Sequence, residues 1–171
     1  VLGFLVGSGG TDGDGGIPDA DLRRLLYETA FSSGLRANEL RSLTPMHLDL
    51  ERGGLRLDAA WTKNRRDGFQ RLPAILVLRL QEFGEADEAA LLYNRFHRNS
   101  DRRKGIPDHP LLYVPSHTSR DLGVDLKAAG IDRKGPGGKV DFHACRTAYV
   151  NLVLDSGATV KETQELARHS T

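Results

Sequence analysis

The stretch 142-FHACRTAYVNLVLDSG-157 decides how this chain is read. From Phe142 to Asp155 it is an apolar helix, and Gly157 is the residue type that stops one. Ala144, Ala148, Leu152 and Val153 are expected to supply its packing. His143 and Arg146 stand three residues apart, a spacing that puts side chains on neighbouring positions of a helix. An imidazole moves protons near neutral pH. A guanidinium forks onto anionic oxygens. The pair therefore suits an anion whose chemistry needs a proton.

Working outward, the pattern is mostly helical. Leu22, Leu25, Leu26, Thr29 and Ala30 recur at helical spacing after Pro18, with Asp19 as an N-cap and Gly34 as a stop. A short helix is expected over Ala37 to Leu43. Leu55, Leu57, Ala59 and Trp61 alternate, a polar turn with Asp67-Gly68 follows, and Phe69 to Leu72 completes a hairpin. Helices are expected from Pro73 to Phe83, Ser119 to Ala129 and Val160 to Ala167, while Leu91 to His97 reads as helical or irregular and the stretch to His109 as a basic loop. Leu111 to Val114 reads as a short strand or an extended connection, and residues 131–140 as a Gly/Lys-rich loop. The fold class is α+β, mainly helical, with a small antiparallel sheet between helices. Residues 1–16 form a glycine-rich flexible segment or linker, and 17–171 a single domain. GSGGTDGDGG lacks the lysine of a phosphate-cradling loop.

Composition sets the bounds. The chain has 171 residues, 39% hydrophobic and 27% charged, the balance of a globular domain able to bury a core. No apolar run has membrane-spanning length, so no membrane partner is expected. The apolar start is too short for a signal peptide. The single cysteine, Cys145, allows no internal disulfide and suits a reducing compartment. Net charge is only +1, but basic residues cluster. Lys63, Arg65, Arg66 and Arg71 surround the hairpin. Arg95, Arg98, Arg102, Arg103 and Lys104 form a second run. Such stripes, with Lys127, fit a polyanion backbone. Taken singly, each is ordinary solvated charge. His109 and His117 lack metal-ligand spacing, and no metal or cofactor is expected.

Two further stretches complete a constellation: 34-GLRANEL-40 and 166-LARHST-171. Together with the hairpin they supply Arg36, Lys63, His143, Arg146 and His169. Two guanidiniums, two imidazoles and an amine are the groups that hold a phosphodiester and protonate a leaving alkoxide.

In order and context these motifs resemble those of the tyrosine recombinases, the phage-integrase family. GLRANEL resembles the first-arginine motif, FHACR the His-x-x-Arg motif, and LARHS the Leu-Gly-His-Ser motif. The resemblance runs from about Pro18 to Thr171. It implies that Arg36 and Arg146 bind the scissile phosphate. It also implies that His143 assists proton transfer, His169 hydrogen-bonds the phosphate, and Lys63 protonates the 5′-hydroxyl leaving group. Glu39 matches the acidic position that orients the first arginine. Family members cleave double-stranded DNA with a tyrosine, forming a 3′-phosphotyrosyl link, and need no metal or cofactor. They act as oligomers on DNA, here in a bacterial cytoplasm associated with the nucleoid. Arg65, Arg66, Arg71, Arg102, Arg103, Lys104 and Lys127 become backbone contacts.

The sequence departs from the family at three places. Arg168 replaces a glycine, Cys145 replaces a common leucine, and the hairpin turn is long enough that Arg65 is an alternative to Lys63. The family's nucleophilic tyrosine lies beyond the last histidine. The expectation is therefore a domain truncated before its nucleophile segment, incompetent for cleavage by itself. None of Tyr27, Tyr93, Tyr113 and Tyr149 occupies the nucleophile position. Alternatives are a non-catalytic DNA-binding module of the same fold, and a type IB topoisomerase-like enzyme.

Overall fold

The computed structural model describes residues 20–59, 67–96, 105–135 and 138–167. Seven α-helices and five short strands lie among them. Helix α1 (Ala20–Ser33) buries Leu25, Leu26 and Ala30, the apolar positions of its helical pattern. It packs against α3 (Ala74–Glu85) on one side and α6 (Ala144–Asp155) on the other. Helix α2 (Ala37–Arg41) is short, and Leu40 and Leu43 beside it are fully buried.

A 3-10 turn (Pro45–His47) leads into β1 (Leu48–Asp49), then β2 (Gly54–Leu57) and β3 (Gly68–Arg71). These form one antiparallel sheet in the order β1-β2-β3, with Leu55 opposite Gln70 and Leu57 opposite Gly68. Leu55 and Leu57 face the core as the alternation predicts. The hairpin is not closed by a tight Asp-Gly turn. Gly68 is already in register with Leu57, and Asp67 serves at the neck, where its carboxylate accepts from the Ala59 amide at 3.0 Å.

Pro73 precedes α3, where its missing N–H costs nothing. Helix α4 (Glu88–Phe96) follows, starting earlier than the sequence suggests. Residues 111–114 form no strand. All four are buried in an extended connection whose amides are satisfied elsewhere. Leu111 N–H donates to Leu43 O at 2.8 Å, and Val114 N–H to the Tyr93 hydroxyl at 2.9 Å. Helix α5 (Thr118–Ala128) ends at Gly130, where φ is +70°. Inside the expected loop 131–140, Lys134–Gly135 (β4) and Gly138–Lys139 (β5) pair as a two-stranded ribbon. Helix α7 (Val160–Leu166) closes the described chain and packs on α6.

Two interhelical ties are ionic. Asp125 on α5 is buried and accepts from Tyr27 Oη at 2.6 Å and from Arg23 Nε at 2.9 Å, fastening α5 to α1. Glu28 on α1 receives both Arg24 and Arg79, which fastens α1 to α3. No helix among the described residues is long and apolar enough to cross a membrane.

Candidate active site

The first motif begins where α1 stops. Gly34 takes φ +62° and returns its N–H to Ala30 O at 2.9 Å. A side chain there would place Cβ 2.5 Å from Tyr149 Cδ1, so the position excludes any larger residue on two grounds. The turn sends Leu35 into the core and leaves Arg36 at the surface, its side chain 48% exposed. Glu39 holds Arg36 twice. Its carboxylate accepts the Arg36 backbone N–H at 2.7 Å and guanidinium Nη1 at 3.1 Å. The spacing of three residues thus yields a helix-start cap and an oriented cation together. Glu39→Ala should cost about 1 kcal/mol, read from the urea midpoint, whereas Glu39→Gln should cost less because an acceptor remains.

The second motif divides between inside and outside. His143 is exposed at the start of α6, its backbone N–H donating to Asp141 Oδ1 at 2.9 Å. Arg146 is 2% exposed. His143 is the N-cap of α6 and its backbone is already helical, at φ −67° and ψ −22°, so the exposed imidazole and the buried guanidinium leave the same helix start. The packing face of α6 differs from the one expected. Cys145, Arg146 and Tyr149 are buried, while Leu152 is exposed.

Arg146 is the point where the three motifs meet. Its Nη1 donates to Gly34 O at 2.5 Å, and its Nη2 donates to Ala167 O. Gly34 opens GLRANEL and Ala167 lies in LARHST, so one guanidinium joins the turn after α1 to the end of α7. Burial of the charge is tolerated because both terminal nitrogens meet carbonyls, although the buried Nε has no hydrogen-bond acceptor among the described residues. The sheet is drawn in as well: Gln70 Nε2 on β3 donates to Tyr149 Oη at 2.8 Å.

Arg71 is exposed on β3 and Lys127 on α5. Lys63, Arg65, Arg66, Arg102, Arg103, Lys104 and His169 lie outside the described residues. The four tyrosines are all buried. Burial, reinforced by its bond to Asp125, holds Tyr27 above the usual phenol range. Burial likewise raises Tyr113, and pushes Tyr93 up to about 12. A groove between the sheet and the α6–α7 turn is floored by Leu57, Phe69 and Leu166 and bordered by Glu162 and Glu165. Its two carboxylates make it a poor place for a phosphate.

The fold is similar to that of a solved recombinase. XerA recombinase superposes with a TM-score of 0.53 at 20% identity, covering 91% of this chain and 57% of that one. An integrase from mycobacterium phage Brujita aligns with a TM-score of 0.49 at 16% identity, covering 86% of this chain and 43% of that one. The chain spans about half the length of these solved proteins. No protein-family model and no curated protein sequence matches it. The class defined is that of the fold: mainly helical, with a small antiparallel sheet, as in tyrosine-recombinase catalytic domains.

Proposed function

We propose that this chain is the phosphodiester-handling catalytic domain of a site-specific DNA recombinase or integrase, a strand transferase acting on double-stranded DNA. The observation that supports it best is the convergence of the three motifs on the Arg146 guanidinium. In this reading Arg36 and Arg146 bind the scissile phosphate, His143 and His169 hydrogen-bond it or move protons, and Glu39 orients Arg36. A tyrosine attacks phosphorus to form a 3′-phosphotyrosyl link, and Lys63 gives its proton to the departing 5′-oxygen. Access of phosphate to Arg146 then requires the Ala167 carbonyl to yield its place. Because Tyr27, Tyr93, Tyr113 and Tyr149 sit in the core, the attacking tyrosine in this reading is none of them. The reading carries with it a homo-oligomer assembled on DNA in a bacterial cytoplasm, at the nucleoid. It also carries backbone contacts from Arg65, Arg66, Arg71, Arg102, Arg103, Lys104 and Lys127.

A second reading is a non-catalytic DNA-binding module of the same fold. A type IB topoisomerase-like enzyme shares the chemistry and would relax supercoiled plasmid. The discriminating experiment measures binding of a random-sequence duplex by fluorescence anisotropy across a salt series. Arg36→Ala should weaken binding about 10-fold and flatten the slope of log affinity against log salt by about 0.9. Absence of duplex binding by the wild-type chain at low salt sinks all three readings. Among them, a detergent-stable covalent adduct with nicked duplex, sought with a protein that also carries the attacking tyrosine, separates the enzymes from the module.

A further inference from the structure

The β4–β5 ribbon places like charges directly opposite each other. Lys134 pairs with Lys139, Gly135 pairs with Gly138, and both lysines are exposed. Facing like charges on a two-residue ladder are unfavourable, and nothing in the ladder itself offsets them. The acids that flank the ribbon each bind a backbone amide, and neither forms an ion pair with Lys134 or Lys139 within 4 Å among the described residues. Asp132 Oδ1 accepts from the Lys134 backbone N–H at 2.9 Å, and Asp141 Oδ1 from that of His143.

The ribbon's base is anchored. Arg133 Nε donates to Val140 O at 3.0 Å and Nη2 to Ser119 O at 2.7 Å, while Val140 N–H returns to Arg133 O at 2.8 Å. Phe142 N–H is fixed by Ser119 Oγ at 3.1 Å. The lysines are therefore carried on a base bolted to α5, immediately ahead of His143. From Lys139 to His143 is four residues, at most about 14 Å of chain. One DNA strand offers a phosphate about every 3.4 Å of helix axis, so this reach covers a few consecutive phosphates.

We infer that the β4–β5 ribbon is a phosphate-backbone clamp: Lys134 and Lys139 straddle the DNA strand next to the phosphate that His143 faces. The inference rests on the recombinase reading and deepens it by assigning a contact outside the three motifs. A DNA phosphate supplies the missing counter-charge between the two amines. The facing geometry is thus tolerable in the free protein and favourable in the complex.

Lys134→Glu tests it. The substitution puts opposite charges across the ladder, so the thermal midpoint should hold or rise slightly. Affinity for a random-sequence duplex should nevertheless fall, and the salt slope should flatten by about 0.9 or more. Lys134→Arg should restore the slope. Lys134→Ala with Lys139→Ala should flatten it by about 1.8. If these variants keep the wild-type slope while Arg36→Ala loses its share, the clamp is overturned and the recombinase reading stands. If the wild-type chain has no affinity for duplex DNA, the reading falls and the clamp falls with it.

Discussion

Arg146→Ala should destabilise the domain by about 3–5 kcal/mol, which lowers the thermal midpoint by about 10 °C or more in a chain of this size. The argument starts from burial: the side chain is 2% exposed. Truncation removes two hydrogen bonds from a charged donor and leaves the carbonyls of Gly34 and Ala167 without it. It also opens a cavity beside Tyr149, which packs on Gly34. Arg146→Lys should recover only part of the loss, because one ammonium on a flexible stem does not reproduce a planar fork spanning two acceptors. Urea unfolding of the two variants checks this, and a midpoint within error of wild type for the alanine variant would show that the guanidinium braces nothing. The consequence for function is practical. Loss of DNA binding in an Arg146 variant reports on a phosphate contact only if the variant is folded, whereas Arg36, half-exposed and held by Glu39, can be removed with little structural cost.

That contrast marks what the sequence discloses. Arg36 and Glu39 stand three apart after a glycine, and local geometry alone makes them a pair. Gly34, Gly130 and Gly157 end their helices at φ +62°, +70° and +93°, where glycine is the residue that local sterics favour. The helical period of α1 and the alternation of Leu55 and Leu57 also translate directly into burial. The Thr159–Glu162 capping box is equally local: Glu162 N–H donates to Thr159 Oγ1 at 3.2 Å, and the Glu162 carboxylate accepts from Thr159 N–H at 2.8 Å.

Other features depend on contacts remote in sequence. Strand β1 has two residues, too few for any period, and exists because Leu48 pairs with Leu55. Residues 111–114 are apolar enough for a strand, yet their amides go to a loop carbonyl and a tyrosine hydroxyl rather than to a ladder. On α5, Asp121 and Asp125 are both buried. Asp125 is buried because Tyr27 and Arg23, about a hundred residues earlier, satisfy it. Arg146 is the same case at the site. A charged side chain is assigned to the surface by default. Only the carbonyls of Gly34 and Ala167, supplied by distant turns, allow it inside while Leu152 is displaced to solvent.

The second large effect is expected at high pH. Burial raises Tyr27, Tyr93, Tyr113 and Cys145, the last up to about 12. In the unfolded chain the thiol ionises near 8.5 and the phenols near 10. Above those values the native state holds protons that the unfolded state has released. Stability is therefore fully present at neutral pH and is lost as pH rises, first through the thiol near pH 9 and steeply above pH 10. Each group adds a slope of about 1.4 kcal/mol per pH unit, so four together reach about 5.5 kcal/mol per unit. Against a total of about 5–15 kcal/mol, cooperative unfolding should occur near pH 11–12. Circular dichroism and phenolate absorbance followed on one sample decide the matter. Phenolate absorbance from these rings should appear together with loss of helix. A tyrosine that instead ionised near pH 10 with the helices intact would be open to solvent in the folded state. If it were Tyr27, Tyr93 or Tyr113, it would be the residue to substitute first in a search for the nucleophile, and its assignment to the core would be wrong.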